Sequence, residues 1–198
     1  MSGNLITSIR VFTTMTILTG IIYPVSVWAI GQVTFKDNAN GSLIKINDKV
    51  IGSKLIAQPF SQDKYFQPRP SAVSYGVTPD ADYKKGNFVY TSGGSNLGPT
   101  NKKLIDGLNA NIKALKAKNK TSEKIPLELI TASASGLDPD LSLKSALWQV
   151  PRIAESRKVS EDKVREVIEK LTEKPFLGFN GESRVNVLMM NLELDKLQ

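Results

Sequence analysis

The stretch Ser92-Gly93-Gly94-Ser95-Asn96-Leu97-Gly98-Pro99 is where this chain most resembles a chemical site. Glycines running into a helix start leave backbone N–H groups free to converge on an anion. From Gly93 the spacing is G-x-x-x-x-G, but Pro99 and Thr100 stand where a phosphate-binding loop has Lys and Ser/Thr, so this is not a Walker motif. A tight turn that needs small residues accounts for the same glycines and outweighs nucleotide contact. Serine and lysine meet at a spacing used for nucleophilic catalysis in Ser61-Gln62-Asp63-Lys64 and Ser160-Glu161-Asp162-Lys163. Neither S-x-x-K is accompanied by K-T-G or S-D-N, and the second sits where a helix cap is expected, so both read as chance matches.

Other chemistries are excluded by composition. The 198 residues include no His and no Cys. That removes the Ser-His-Asp triad, imidazole bases, thiol nucleophiles, disulfides, and histidine or thiolate metal sites. Asp138-Pro139-Asp140 with Ser142 matches the opening of a calcium loop, yet Leu143 and Gln149 fall on its glycine and bidentate-acid positions. A polar turn ahead of a capped helix is the better reading. The S-G-G of the glycine loop also looks like part of the ABC-type ATPase signature, on two glycines alone. Net charge is +7, but the lysines are scattered apart from Lys113, Lys116, Lys118 and Lys120, and no nucleic-acid motif accompanies them.

The elements that position these residues begin with residues 11–35, which carry no charge. As a helix they would cross a ~30 Å hydrocarbon core with some tilt. Trp28 suits an interfacial anchor. Pro24 implies a neighbour for its freed carbonyl. Thr16 and Gly20 form a small-xxx-small pair that lets another helix approach, and Tyr23 and Pro24 complete the packing face. A signal peptide cleaved after Ala29 is the rival reading, but Trp28 and Pro24 crowd that site and the apolar run continues to Val33. The expected organisation is a tail over 1–10, a transmembrane helix over 11–35 and a mixed α/β (α+β) soluble domain over 36–198.

Within that domain, residues 42–57 read as a β-hairpin turning at Asn47-Asp48. Residues 59–99 are rich in Pro, Gly, Ser, Asn and Tyr, with only 88–90 resembling a strand, and read as a binding loop. Pro99-Thr100 opens a helix with Leu104, Leu108, Ile112 and Leu115 on one stripe. Residues 127–131 read as a short strand. Ser142 caps a helix that Pro151 kinks or restarts, and Ser160 caps another with Glu161 and Asp162 in its first turn. Val185, Val187 and Met189 alternate as a final strand.

Several stretches, in order along almost the whole chain, carry a family resemblance. They are Gly20-Ile-Ile-Tyr-Pro24, Asn40-Gly41-Ser42, Gly52-Ser53-Lys54-Leu55-Ile56 with Gln58, Tyr65-Phe66, and Arg69-Pro70-Ser71-Ala72. SGGSNLGPTN (92–101), TASASGLDP (131–139), QVPRIA (149–154) and RVNVLMMNLELD (184–195) follow. Together they resemble the C subunit of the bacterial Kdp potassium-transporting P-type ATPase. Two departures stand out. Asp140 occupies a position where many members have histidine, and the stretch between Ala72 and Ser92 is longer than usual.

The resemblance implies an accessory pump subunit with no intrinsic cofactor, working beside a channel-like potassium subunit, a P-type ATPase subunit and a very small hydrophobic subunit. Potassium is then the transported ion and ATP a ligand of the assembled complex, and this non-catalytic subunit would stabilise the complex, raise the ATP or potassium affinity of its partners, or both, a catalytic-chaperone role being one form of this. The location implied is a bacterial or archaeal plasma membrane, with the soluble domain outside the cytoplasm. Residues for partner or nucleotide contact are Gln58, Arg69, Ser71, Ser92, Gly93, Gly94, Ser95, Asn96 and Asn101. The alternatives are an anchored extracytoplasmic Ser-Lys hydrolase and a free-standing binding module.

Overall fold

A computed structural model describes residues 2–79 and 88–197, and the chain divides into two units, Met1–Ile51 and Gly52–Gln198. In the first unit α1 (Ser2–Ile17), a π-helical turn (Leu18–Ile22) and α2 (Tyr23–Thr34) form one apolar helix. Residues 2–10, ahead of the charge-free run, belong to it. The apolar span Gly3–Thr34 is 32 residues, about 48 Å at 1.5 Å per residue, which exceeds a ~30 Å hydrocarbon core. Its large apolar side chains are 44–85% exposed, an arrangement that water penalises and lipid does not.

Polar groups in this helix are satisfied locally. Thr7, Thr19 and Thr34 donate their hydroxyls to the carbonyls of Gly3, Met15 and Ile30. The π-helical turn lies just before Pro24, which has no N–H and whose ring crowds the carbonyl four residues earlier. Widening the preceding turn relieves that crowding, and the Tyr23 N–H reaches back to the Leu18 carbonyl. A short helix α3 (Lys36–Ala39) follows.

Strands β1 (Leu43–Ile46) and β2 (Lys49–Ser53) make the expected hairpin. Its turn residues Asn47 and Asp48 have φ of 50° and 61°, the left-handed pair that a two-residue hairpin turn requires. The strand expected at 88–90 is β4 (Phe88–Tyr90), antiparallel to β3 (Val77–Pro79) with Val77 opposite Tyr90. The stretch between Ala72 and Ser92, expected to be longer than usual, falls partly outside the described residues.

The core of the second unit lies among α5 (Leu143–Arg157), α6 (Glu161–Leu171), α7 (Val187–Leu194) and the two-stranded sheet of β5 (Asp140–Ser142) and β6 (Arg184–Asn186). In that sheet Leu141 pairs with Val185, both essentially unexposed, between polar pairs Asp140–Asn186 and Ser142–Arg184. Period-2 alternation turns this one apolar pair inward. Ala146, Val150, Ile153 and Ala154 of α5 meet Val164, Val167 and Ile168 of α6 at helical spacing. Both caps form as expected, with Ser142 and Ser160 hydroxyls accepting from the N–H groups of Ser145 and Lys163. Helix α5 runs through Pro151 unbroken. The carbonyl that loses its donor belongs to Leu147, which is exposed.

Three boundaries differ from the sequence expectation. Helix α4 (Lys102–Lys118) starts after Asn101, whose side chain caps it by accepting from Lys103 N–H, and not at Pro99-Thr100. Residues 127–129 form a 3-10 turn rather than a strand, opened by Pro126 at φ −59°, with Leu129 buried. The last strand ends at Asn186, and Val187 and Met189 are helical. Asn186 accepts from Met189 N–H, and Val187, Met190, Asn191 and Leu194 are buried at helical spacing.

Helices α6 and α7 are linked through Glu193, which accepts from Lys170 and from Lys196 at 2.7 Å. These lysine hydrogen bonds hold the Glu193 carboxyl down at about 2. A depressed carboxyl stabilises the fold above its unfolded pKa of ~4.3 and loses that contribution as pH falls through the folded value. Glu193→Gln should therefore flatten the acid limb of the stability curve between roughly pH 5 and 2, as followed by denaturant midpoints against pH. An unchanged limb would show the link to be inert.

Candidate functional site

The residues singled out around the glycine loop converge on a braid of three segments, 69–76, 91–95 and 133–138. Gly93 N–H donates to the Ser135 carbonyl at 2.8 Å, and the Ser92 hydroxyl donates to the same carbonyl at 3.0 Å. A Cβ on Gly94 would sit 3.0 Å from the Ala134 carbonyl oxygen. The Ser71 hydroxyl donates to the Gly136 carbonyl at 2.8 Å and accepts from Val73 and Tyr75 N–H. Ser133 N–H donates to Pro70 O, and the Tyr75 hydroxyl donates to Arg69 O. Burial pushes the Tyr75 phenol up, so it remains a donor at any ordinary pH. Arg69 pairs with Asp138 at 3.0 Å, both partly exposed.

Gly94 is thus used for close approach of backbones, and the N–H of Gly93 points inward to a protein carbonyl. On the outer side of the braid, Ser71, Gly94, Ser95 and Leu97 join Leu104, Leu108 and Asn111 of α4 in a groove of about 540 Å³. The α4 stripe is only half covered there, and no residue of α4 is fully buried. Asn96 takes a left-handed conformation (φ 53°) beyond the braid, and Asn101 serves as the α4 cap. Gln58 lies apart from the glycine loop, beside Gly52, where a Cβ would come within 2.2 Å of its amide nitrogen. Thr16 and Gly20 share a face of the apolar helix, with Thr16 Cγ2 4.0 Å from where a Gly20 Cβ would be, and Tyr23 and Pro24 follow the π-helical turn.

Comparison with known proteins matches residues 5–196 to the family model KdpC, described as K+-transporting ATPase, c chain. The chain belongs to the KdpC family. A potassium-transporting ATPase KdpC subunit of Rhodopseudomonas palustris (strain BisB18) is 47% identical over 187 residues, covering 91% of this chain and 92% of the relative. The equivalent subunit of Koribacter versatilis (strain Ellin345) is 44% identical over 198 residues, 100% of this chain and 97% of the relative. That of Cronobacter sakazakii (strain ATCC BAA-894) is 46% identical over 185 residues, 93% of each. With the apolar N-terminal helix, family membership makes this a membrane-associated subunit of a potassium-transporting ATPase.

Three of the motifs behind the family resemblance, Tyr65-Phe66, 149–154 and 184–195, meet in a buried polar strap that sequence reasoning missed. Gln149 accepts from Gln67 N–H at 2.9 Å and donates to Gln67 O at 3.0 Å. Asn191 does the same for Phe66, at 2.8 and 2.9 Å. Two side-chain amides therefore stand in for neighbouring strands along an irregular segment. Arg152 donates to the carbonyls of Asp63 and Tyr65, to Gln149 Oε1 and to Asn119 Oδ1. Burial lowers its pKa to about 10, only partly opposed by Asp63, so it stays charged at neutral pH. Arg157 adds bonds to Lys64 O, Leu194 O and Asp195, and lies over the Tyr65 ring. The available signal was polar residues at core positions of α5 and α7, since Gln149, Arg152 and Asn191 fall on the apolar stripes.

Asp140 lies in β5. Burial raises its carboxyl, against the pull of the Asn186 amide at 3.2 Å and of Arg184 at 3.3 Å. Its contacts belong to the β5–β6 pair.

Proposed function

We propose that this chain is a non-catalytic accessory subunit, assembling with a channel-like potassium subunit, a P-type ATPase subunit and a small hydrophobic subunit. Its soluble domain lies outside the cytoplasm of a bacterial or archaeal cell. The observation that carries this reading is that Gly93 of the glycine loop, with Ser71, Ser92 and Ser160, is engaged in holding the fold. Gly93 N–H, the Ser71 hydroxyl and the Ser160 cap all have partners within the chain. What remains accessible is a groove with small side chains at its rim, suited to close packing on another protein. The channel-like subunit is the partner assigned to this groove, and a neighbouring membrane helix the partner for the Thr16/Gly20 face.

The test is Ser95→Trp, an exposed groove position whose substitution leaves the braid intact. The variant should co-purify less well with the large membrane subunits, or lower the potassium affinity of the pump, at unchanged ATP dependence. Normal assembly with a raised ATP requirement would overturn the contact reading in favour of a catalytic chaperone. The purified chain should hydrolyse neither ATP nor esters. Turnover abolished by Ser61→Ala or Ser160→Ala would restore the Ser-Lys hydrolase reading.

A further inference from the structure

Between α6 and β6 the chain leaves the core as a short arm. Its base is a backbone pair, with Glu173 N–H donating to Arg184 O at 2.9 Å and Arg184 N–H to Glu173 O at 3.1 Å. An ion pair at 3.1 Å joins the same two side chains. Its tip is a second pair, Phe176 with Asn180, closed by backbone bonds of 3.0 and 2.9 Å. Leu177 and Gly178 turn the corner with φ of 55° and 82°.

Three large apolar side chains crown this tip, with Phe176 70%, Leu177 71% and Phe179 79% exposed. Left-handed pairs of this kind favour Asn-Gly, and a bulky residue at positive φ is strained. Leucine at this corner, 71% exposed, gains little packing within the chain for that strain, which points to a use outside the chain.

We infer that the 173–184 arm is an interfacial finger, whose Phe176, Leu177 and Phe179 dip into the headgroup region of the bilayer that holds the N-terminal helix. Several observations select lipid as the occupant. Only residues 35–51 separate the apolar helix from the folded unit, so the arm is always tethered to a membrane. The N–H groups of Phe176, Gly178, Phe179 and Asn180 find acceptors within the arm, which lowers the cost of bringing the tip to the wet headgroup layer. Glu173 is paired with Arg184, and Lys174 and Glu182 each lie two residues from the Phe176–Asn180 pair, so the apolar tip itself carries no charged side chain. Beyond Phe35 the chain carries 25 basic and 19 acidic residues, an excess that suits anionic headgroups. Two phenylalanines and a leucine next to a lysine are the composition of segments that settle at the headgroup and acyl boundary. This inference needs only the membrane anchor and stands apart from the subunit reading above.

The chain has no native cysteine, so Phe179→Cys carries a bimane label at one site. The full chain would be placed in nanodiscs of phosphatidylcholine and phosphatidylglycerol. Emission should be blue-shifted, quenched by headgroup-proximal nitroxide lipids and shielded from iodide. The same label at Leu127→Cys, also exposed, should behave as in water. Adding Phe176→Ser and Leu177→Asn, which suits the turn, should return the Phe179→Cys label to water-like emission and abolish lipid quenching. Iodide access equal to that at Leu127→Cys overturns the inference. So does shielding from both quenchers, which would mark a protein contact.

Discussion

Replacing Arg152 by Met should lower the unfolding free energy by about 3 kcal/mol, because neutral oxygens that share its guanidinium lose their donor at about 1–3 kcal/mol each. Arg152 is 4% exposed and gathers its acceptors from Asp63, Tyr65, Gln149 and Asn119. Methionine fills much of the volume but leaves the buried Asn119 Oδ1 and the partly buried carbonyls of Asp63 and Tyr65 without this donor, each costing up to about 1–3 kcal/mol. Relief of the guanidinium's own desolvation offsets part of that sum, which keeps the total near the lower figures. Arg152→Lys should recover little, because one ammonium replaces a planar fork that reaches in several directions. Denaturant unfolding of the full chain in detergent, followed by Trp148 fluorescence, reads the shift. Proteolysis at Lys64 should accelerate in parallel, since the strap holds that segment to α5. A loss below about 1 kcal/mol, the usual net worth of one hydrogen bond, would mean that residues 63–67 find other partners.

Gly136→Ala is expected to cost about 3 kcal/mol or more, from a left-handed penalty of ~1–2 kcal/mol and overpacking of ~1–3 kcal/mol. Gly136 has φ +68°, and an added Cβ would lie 2.4 Å from Val73 Cγ2, 2.8 Å from Gly93 O and 3.1 Å from Ser71 Oγ. Val73 can rotate, but Gly93 O is backbone whose own N–H is tied to Ser135 O. Gly94→Ala, at 3.0 Å from Ala134 O without a positive φ, should cost less, and Gly98→Ala, with open space around it, almost nothing. Thermal midpoints of the three variants check this ranking. An anion cradle predicts a different order, with Gly98 sensitive in ligand binding and Gly136 indifferent. Stability loss at Gly98 equal to that at Gly136 would contradict the braid.

Much was legible in the sequence because it is local. A charge-free run fixes an apolar helix, Asn47-Asp48 fixes a hairpin turn, and Ser142 and Ser160 announce the helices they cap. Each depends on residues within one or two turns of one another, so composition and spacing carry the information. The helical state of 187–194 was misread because Val185, Val187 and Met189 alternate as a strand does, while the Asn186 cap and the burial of Met190 and Leu194 decide otherwise. Pro126 likewise turned 127–129 away from a strand.

Tertiary structure alone settled the roles of the polar residues. Gln149 and Asn191 are distant from Gln67 and Phe66 in sequence, and only packing of α5 and α7 brings their amides onto those backbones. The glycine loop is similar. Its spacing suits an anion or a tight approach equally well, and the choice lies in where the Gly93 N–H points, namely at Ser135 O on a segment some forty residues further along. Spacing specifies which chemistry a residue is capable of, and the partner across the fold decides which one it performs.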